Sequence, residues 1–337
     1  MGNLTKIKRP RALITGLRGF TGAYLASELN ARGYEVFGTA FGNEPLGTGV
    51  YHVDLCDRDA LQDVVNRVKP DIVAHLAAVS FVGHDKPDEI YRINIMGTRN
   101  LLEALSRLSQ APKAVLVASS ANVYGNATAG SLTELQVPMP ANDYAVSKLA
   151  MEHVARLWMD KLPIFITRPF NYAGVGQADN FLIPKIVSHF QRRAERIELG
   201  NLDVSREFSD VRSVAHAYAE LLTLSPRGET VNICNGQGYS LREVIALAEE
   251  ITGHQMEVCS NPAFVRANEV RTLVGDASKL RSLIGELPTY RLRDTLSWML
   301  AEPIIAAHNS ANNAAHNAIN KPVHKHAPLF QAAQVFN

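Results

Sequence analysis

Short apolar runs rich in β-branched residues alternate with amphipathic stretches over the first 170 residues. Ala12–Thr15, Tyr34–Thr39, Tyr51–Asp54, Asp71–Leu76, Lys113–Ser119 and Ile164–Arg168 read as strands. Segments 20–32, 57–68, 87–108 and 143–160 read as helices. Gly33 stands where a helix C-terminus favours glycine, and Pro70 follows the second helix as a stop. Near-continuous apolar strands between helices predict an α/β fold: a Rossmann-type, doubly wound parallel sheet covered on both faces.

Beyond Asn171 the pattern loosens into turn-rich segments separating shorter helices near 181–195, 211–224, 240–252 and 276–284. This predicts a smaller α/β substrate lobe at the sheet's carboxyl edge, where open α/β sheets hold ligands. The expected organisation is 10–170 for dinucleotide binding, 171–300 for the interleaved substrate lobe, and a weakly ordered tail from 301 to 337. That tail is rich in Asn, Ala and His. Its four histidines, His308, His316, His324 and His326, have no compact ligand spacing, so no metal site is expected.

Composition narrows the class of protein. With 337 residues, 46% hydrophobic, 20% charged and a net charge of +1, the chain is neither a general nucleic-acid binder nor a membrane-surface protein. No apolar run is long enough to span a bilayer. The start lacks the apolar stretch and cleavage site of a secretory signal, so a cytoplasmic location is expected. Cys56, Cys234 and Cys259 are widely separated, which suits buried structural thiols in a reducing compartment.

Candidate chemistry begins at Thr15–Gly22, which carries Gly16, Gly19 and Gly22 in G-x-x-G-x-x-G spacing between a strand and a helix. Glycines there let a pyrophosphate approach backbone N–H groups at the positive end of a helix. An NAD site usually has an acid at the end of the second strand. Here that strand ends at Thr39 and Ala40, leaving room for a 2′-phosphate that Arg18 can pair with. NADP is therefore favoured over NAD. Asp54 is placed either at the adenine edge or as a loop-capping aspartate.

Tyr144 and Lys148 lie four apart on one predicted helix and so share a face. An ammonium beside a phenol would lower the tyrosine pKa toward neutrality, making Tyr144 a general acid or base. Ser120, just past the preceding strand, can donate to an oxygen that becomes an alkoxide. These three are the expected catalytic residues.

The chain resembles the extended short-chain dehydrogenases/reductases of nucleotide sugars, and among them the GDP-4-keto-6-deoxy-D-mannose reductases that make GDP-D-rhamnose. The likeness rests on His75–Ala78, Asn94–Thr98, Ser119–Gly125, Tyr144–Lys148, Arg168–Asn171, Val204–Val211 and Arg266–Glu269. It implies that Ala77, Ala78 and Pro169 line the nicotinamide side, with Phe20, Leu55 and Leu76 completing the cofactor set. It further implies that Asn171, Arg206 and Arg266 contact the diphosphate of a nucleotide sugar, and Glu269 its ribose. A homodimer through the helices at 87–108 and 143–160 is also implied.

Two departures stand out. Where the dehydratases of this group carry an Asp-Glu pair, this chain has Ala121 and Asn122, neither an acid nor a base, so dehydration is not expected. The loop Tyr172–Gly176 has no proline between its glycines. The expected reaction is NAD(P)H-dependent reduction of a C-4 ketone on a GDP-linked sugar. The rivals are a UDP-sugar 4-epimerase, which uses the same three residues, and a non-catalytic NADP sensor.

Overall fold

The computed structural model describes residues 9–42, 47–80, 86–125, 130–262 and 272–302. Its centre is a seven-stranded parallel sheet. Along the chain, β1 (Arg11–Thr15), β2 (Glu35–Ala40), β3 (Val50–His52), β4 (Ile72–His75), β5 (Ala114–Ala118) and β6 (Ile164–Pro169) are joined by helices. The seventh strand, β11, comes from the later half, Thr230–Ile233. Spatial order is β11-β6-β5-β4-β1-β2-β3, so the direction of winding reverses between β1 and β4.

Helices α1 (Phe20–Ala31), α2 (Arg58–Val68), α4 (Thr98–Ser106) and α5 (Asp143–Arg156) cover the sheet together with α7 (Val211–Leu224). Two apolar layers result. Leu13, Val73, Val115, Val117 and Ile166 face α2, α4 and α5, whereas Ile14, Ala74, Leu116 and Phe165 face α1 and α7. Such a fully buried aliphatic side chain contributes about 1.5–3 kcal/mol, and both sheet faces are filled this way. Local signals set the ends. Asp57 caps α2 by accepting from the Ala60 amide at 3.0 Å, and Asn142 caps α5 by accepting from Ala145 at 2.9 Å.

The helix expected over 87–108 is not uniform. It runs as α3 (Pro87–Tyr91), a π-helical turn (Arg92–Gly97) and then α4. The helix expected to reach 160 ends as α5 at Arg156, followed by turns. Later elements form smaller units. Strands β7 (Tyr172–Ala173), β8 (Arg196–Leu199), β9 (Ser205–Glu207) and β10 (Ser209–Asp210) accompany α6 (Leu182–Gln191). After them come β12 (Gly238–Ser240), α8 (Leu241–Thr252), β13 (Glu257–Ser260), β14 (Thr272–Leu273), α9 (Ser278–Ile284) and α10 (Leu292–Ala301). Helices α6, α8 and α10 close a core of their own around Ile186, Phe190, Val244 and Leu296. Cysteine placement is less uniform than expected: Cys234 is buried, but Cys56 and Cys259 are half-buried, and all three are free thiols.

Candidate active site

The glycine loop follows β1 at the point where the winding reverses. Gly16 adopts φ +73°, and a β-carbon there would lie 3.0 Å from the Ala77 backbone. At Gly22 a β-carbon would meet the Gly16 carbonyl oxygen at 2.3 Å, so α1 can pack on the loop only as glycine. The Gly16 and Leu17 amides both donate to the Thr39 carbonyl at 3.1 Å, which joins the loop to the end of β2. At its start α1 has no side-chain cap after Gly19 and no acid in the first turn. Bare N–H groups at a positive helix end suit an anion, so these residues fit a dinucleotide pyrophosphate.

Around this loop the expected cofactor residues take different positions. Phe20 stacks on Tyr172 with ring centroids 6.0 Å apart, and Arg18 is exposed. Thr39 is buried in the sheet, so only its carbonyl reaches the loop. Asp54 accepts from the Cys56 amide at 2.8 Å and stands 3.7 Å from Arg92, so it caps its own turn. Leu55 is buried, and Leu76, Ala77 and Ala78 follow β4 half-buried. Pro169 ends β6 beside Ile233 of β11.

A buried chain of hydrogen bonds backs the loop. Thr98 donates to the Asn94 carbonyl at 2.6 Å, so it accepts from His75 Nε2–H at 2.8 Å. His75 Nδ1 therefore accepts from Thr15 at 2.7 Å, and Thr15 accepts from the Ala77 amide at 3.2 Å. Burial, with the Lys148 charge nearby, pushes His75 down to about 3, which keeps the ring neutral. Asn94, inside the π turn, accepts from the Val79 amide at 2.9 Å and donates to Ser147 at 3.0 Å. Ser147 in turn donates to the Tyr144 carbonyl at 2.7 Å. The cofactor loop and the α5 helix are thus one connected unit. Sequence reasoning used His75 and Asn94 only as family markers; their buried polar character amid apolar runs was the available signal.

Ser120, Tyr144 and Lys148 converge at the carboxyl edge of the sheet. Ser120 caps the short 3₁₀ turn Ala121–Tyr124 and lies beside the Tyr144 phenol. Lys148 is buried and donates to the Ala118 carbonyl at 2.7 Å. Burial pushes Lys148 down to about 8, partly opposed by the Glu152 carboxylate. The expected fall in the Tyr144 pKa is not found. Burial raises it well above the ordinary phenol value, and the neighbouring Ser120 hydroxyl opposes that rise. One of the three Lys148 ammonium hydrogens is given to the Ala118 carbonyl.

Below this triad lies a network that sequence reasoning missed. Glu152 is fully buried, one turn beyond Lys148, and takes both arms of Arg168 at 2.8 and 2.7 Å. Ser119 donates to the same carboxylate at 2.7 Å. Arg168 also reaches Tyr124, whose hydroxyl donates to Asn232 of β11 at 2.6 Å. The clue was an arginine inside an apolar strand, which needs a buried acid.

On the substrate side, Asn171 accepts from the Ser209 amide at 2.9 Å, and Arg206 lies half-buried on β9 beside buried Glu207. Arg266 and Glu269 lie outside the described residues, as do the four tail histidines.

Fold and site together define a nicotinamide-dependent oxidoreductase of the short-chain dehydrogenase/reductase class. Within that class the chain belongs to the GDP-mannose 4,6 dehydratase family, which matches residues 13–299. It is 39% identical over 276 residues to GDP-6-deoxy-D-talose 4-dehydrogenase of Aggregatibacter actinomycetemcomitans, covering 82% of this chain and 91% of that protein. It is 34% identical to GDP-6-deoxy-D-mannose reductase of Pseudomonas aeruginosa, covering 87% of this chain and 96% of the relative. A Burkholderia cenocepacia J2315 crystal structure, described as a candidate epimerase, shares 52% identity with a TM-score of 0.82, over 87% of this chain and 98% of that one.

Proposed function

We propose that the protein reduces the C-4 ketone of GDP-4-keto-6-deoxy-D-mannose to GDP-D-rhamnose, using NADPH in preference to NADH. The observation that carries this reading is a Ser120 hydroxyl beside the buried Tyr144 phenol, with buried Lys148 one turn along the same helix, and no acid or base at Ala121 or Asn122 to expel water. The similarity to a protein named GDP-6-deoxy-D-mannose reductase supports the choice of sugar and nucleotide. A solved Pseudomonas aeruginosa structure, RMD complexed with NADPH, is 33% identical with a TM-score of 0.76 over 87% of this chain and 98% of that one, and it supports the cofactor.

When bound, the reduced nicotinamide supplies the hydride that ends on C-4. Phe20 and Gly22 would hold the pyrophosphate with backbone N–H groups, Gly16 and Gly19 would leave room for its close approach, and Arg18 would hold the 2′-phosphate. Asp54 and Leu55 would bound the adenine, with Leu76, Ala77, Ala78 and Pro169 along the nicotinamide. Tyr144 protonates the forming alkoxide while Ser120 shares its developing charge. The Lys148 ammonium holds the nicotinamide ribose. Arg206 and Arg266 neutralise the GDP diphosphate, Asn171 contacts it, and Glu269 takes its ribose. Exposed Met96, Val146 and Leu157, on the helical segment around the π turn and on or just after α5, support assembly as a homodimer.

A second reading keeps the substrate and inverts C-4, giving GDP-6-deoxy-D-talose. It is favoured by the 39% identical relative named for that sugar. Incubation with GDP-4-keto-6-deoxy-D-mannose and each reduced dinucleotide, followed by NMR of the product, decides between them. We expect NADPH consumption and the rhamno configuration. The talo product establishes the second reading. Interconversion of UDP-sugars with retained NAD, and no NADPH consumption, would defeat both.

A further inference from the structure

Ser120 is held from one side by a single residue. The Asn122 backbone amide lies 3.2 Å from Ser120 Oγ, and the Asn122 side-chain amide nitrogen lies 3.1 Å from the same oxygen. A serine hydroxyl has one hydrogen and two lone pairs. Two N–H donors from Asn122 occupy both lone pairs, so the hydrogen can only be given away. The Tyr144 phenol lies close enough to that hydroxyl to receive it.

The turn that carries Asn122 is itself fixed. Ala121, Val123 and Tyr124 are buried around it, and the Tyr124 hydroxyl is bonded to Arg168 and Asn232. Asn122 alone of the four turn residues is half-buried. Its side chain folds back on the residue that caps its own turn.

We propose that Asn122 is a positioning residue for the reduction: by donating twice to Ser120 Oγ it forces the Ser120 hydroxyl to donate toward Tyr144 and the carbonyl oxygen bound beside it. The catalytic consequence rests on the reductase reading above, whereas the direction of the hydrogen bond rests on the two Asn122 contacts. During the reaction the hydride adds to C-4 and the carbonyl π pair moves onto oxygen. That oxygen takes the Tyr144 proton, and Ser120 keeps its own throughout. Ser120 therefore works as a donor aimed before the charge develops, which is the condition under which such a donor is most effective. Donation into its lone pairs also makes the hydroxyl a stronger donor through cooperativity.

The decisive substitution is Asn122→Asp, which keeps the shape and reverses the polarity. A carboxylate can only accept, so it draws the Ser120 hydrogen away from the reacting oxygen. Turnover is expected to fall about 10²-fold, with KM and NADPH affinity unchanged. Activity should recover toward acid pH, as the introduced carboxylate gains a proton and can donate again. Asn122→Ala keeps the backbone donor and should lose about tenfold, close to one hydrogen bond. Asn122→Ala removes the donor without adding a charge, so the ratio of the two rates reads the reversal of polarity. A purely structural role predicts that Asn122→Asp is no slower than Asn122→Ala and shows no acid recovery; that result overturns the proposal. Neutron diffraction of the deuterated parent protein reads the direction without substrate. A deuteron on Ser120 aimed at Tyr144 supports the assignment, and one aimed at Asn122 refutes it. If the parent reduces no keto sugar yet shows the deuteron aimed at Tyr144, the reductase reading fails and the assignment of Asn122 stands.

Discussion

Two fully buried carboxylates, Glu152 on α5 and Glu207 on β9, are held in opposite ways. Glu152 faces a guanidinium: Arg168 grips it with two arms, and Arg156 approaches at 3.3 Å. Those charges overcome burial and hold Glu152 below the ordinary carboxylate range. Among the described residues, the groups hydrogen-bonded to Glu207 are neutral. It accepts from the amides of Asn235, Gly236 and Gly275 and from the Ser209 hydroxyl. Burial wins there, and Glu207 is pushed up to about 7. An opposite charge can cancel the cost of desolvation where four neutral donors cannot. The region beneath the proposed catalytic residues is therefore electrostatically locked, while the substrate-side strand remains sensitive to pH.

The largest effect should come from the chemistry that the locked region supports. Tyr144→Phe removes the proposed proton donor without disturbing the cofactor loop. Steady-state kinetics should show turnover lower by about 10³-fold, with NADPH affinity retained. Near-normal turnover would remove Tyr144 from the mechanism.

Next comes the lock itself. Arg168→Met should cost about 3–5 kcal/mol, because it leaves Glu152 buried against a partly exposed Arg156 alone. Urea unfolding measures this, and a loss below about 1 kcal/mol would show that the pair is not what holds α5 to the sheet. The double variant Arg168→Met with Glu152→Leu should recover much of the loss, since it removes both charges.

Lys148 links the two themes. Its pKa near 8 means that the ammonium is lost as pH rises through that value. Turnover should therefore fall about tenfold per pH unit above that point, if the charged form is required. A flat profile to about pH 10 would separate Lys148 from the rate.

The smallest effect belongs to Glu207. A carboxyl with a raised folded pKa binds its proton more tightly when folded. Its stability contribution is complete below about pH 4.5 and is lost as pH rises through about 7. The slope is at most about 1.4 kcal/mol per pH unit. Glu207→Gln should flatten stability measured across that window. An unchanged slope would mean that the four donors hold the carboxylate charged after all.

Much of this molecule was legible from local pattern. β1, α1 and the glycines between them follow from apolar alternation and from the need for close backbone approach at Gly16 and Gly22. Tyr144 and Lys148 share a helix face by their spacing, and Ser120 follows a recognisable strand. The pairing of Glu152 with Arg168 was not legible, because it depends on α5 lying across β5 and β6. Nor was β11, a four-residue run whose place beside β6 is set by distant packing. The helix α10 was also passed over, although Leu292, Leu296 and Met299 recur at helical spacing and are buried. The shift to π geometry at Arg92–Gly97 has no local marker, since the Asn94 contacts to Val79 and Ser147 come from other elements.

By itself the sequence determined the alternating α/β order, the glycine loop and the identity of the three proposed catalytic residues, because each is encoded by neighbours within a turn or two. Tertiary structure alone decided their electrostatics. Burial raised the Tyr144 pKa where local chemistry predicted a fall, and Lys148 found the Ala118 carbonyl. Glu152 found its arginine across the sheet, and Asn122 turned back onto Ser120. Desolvation and hydrogen-bond direction depend on everything that surrounds a group, and most of those surroundings are distant in the chain.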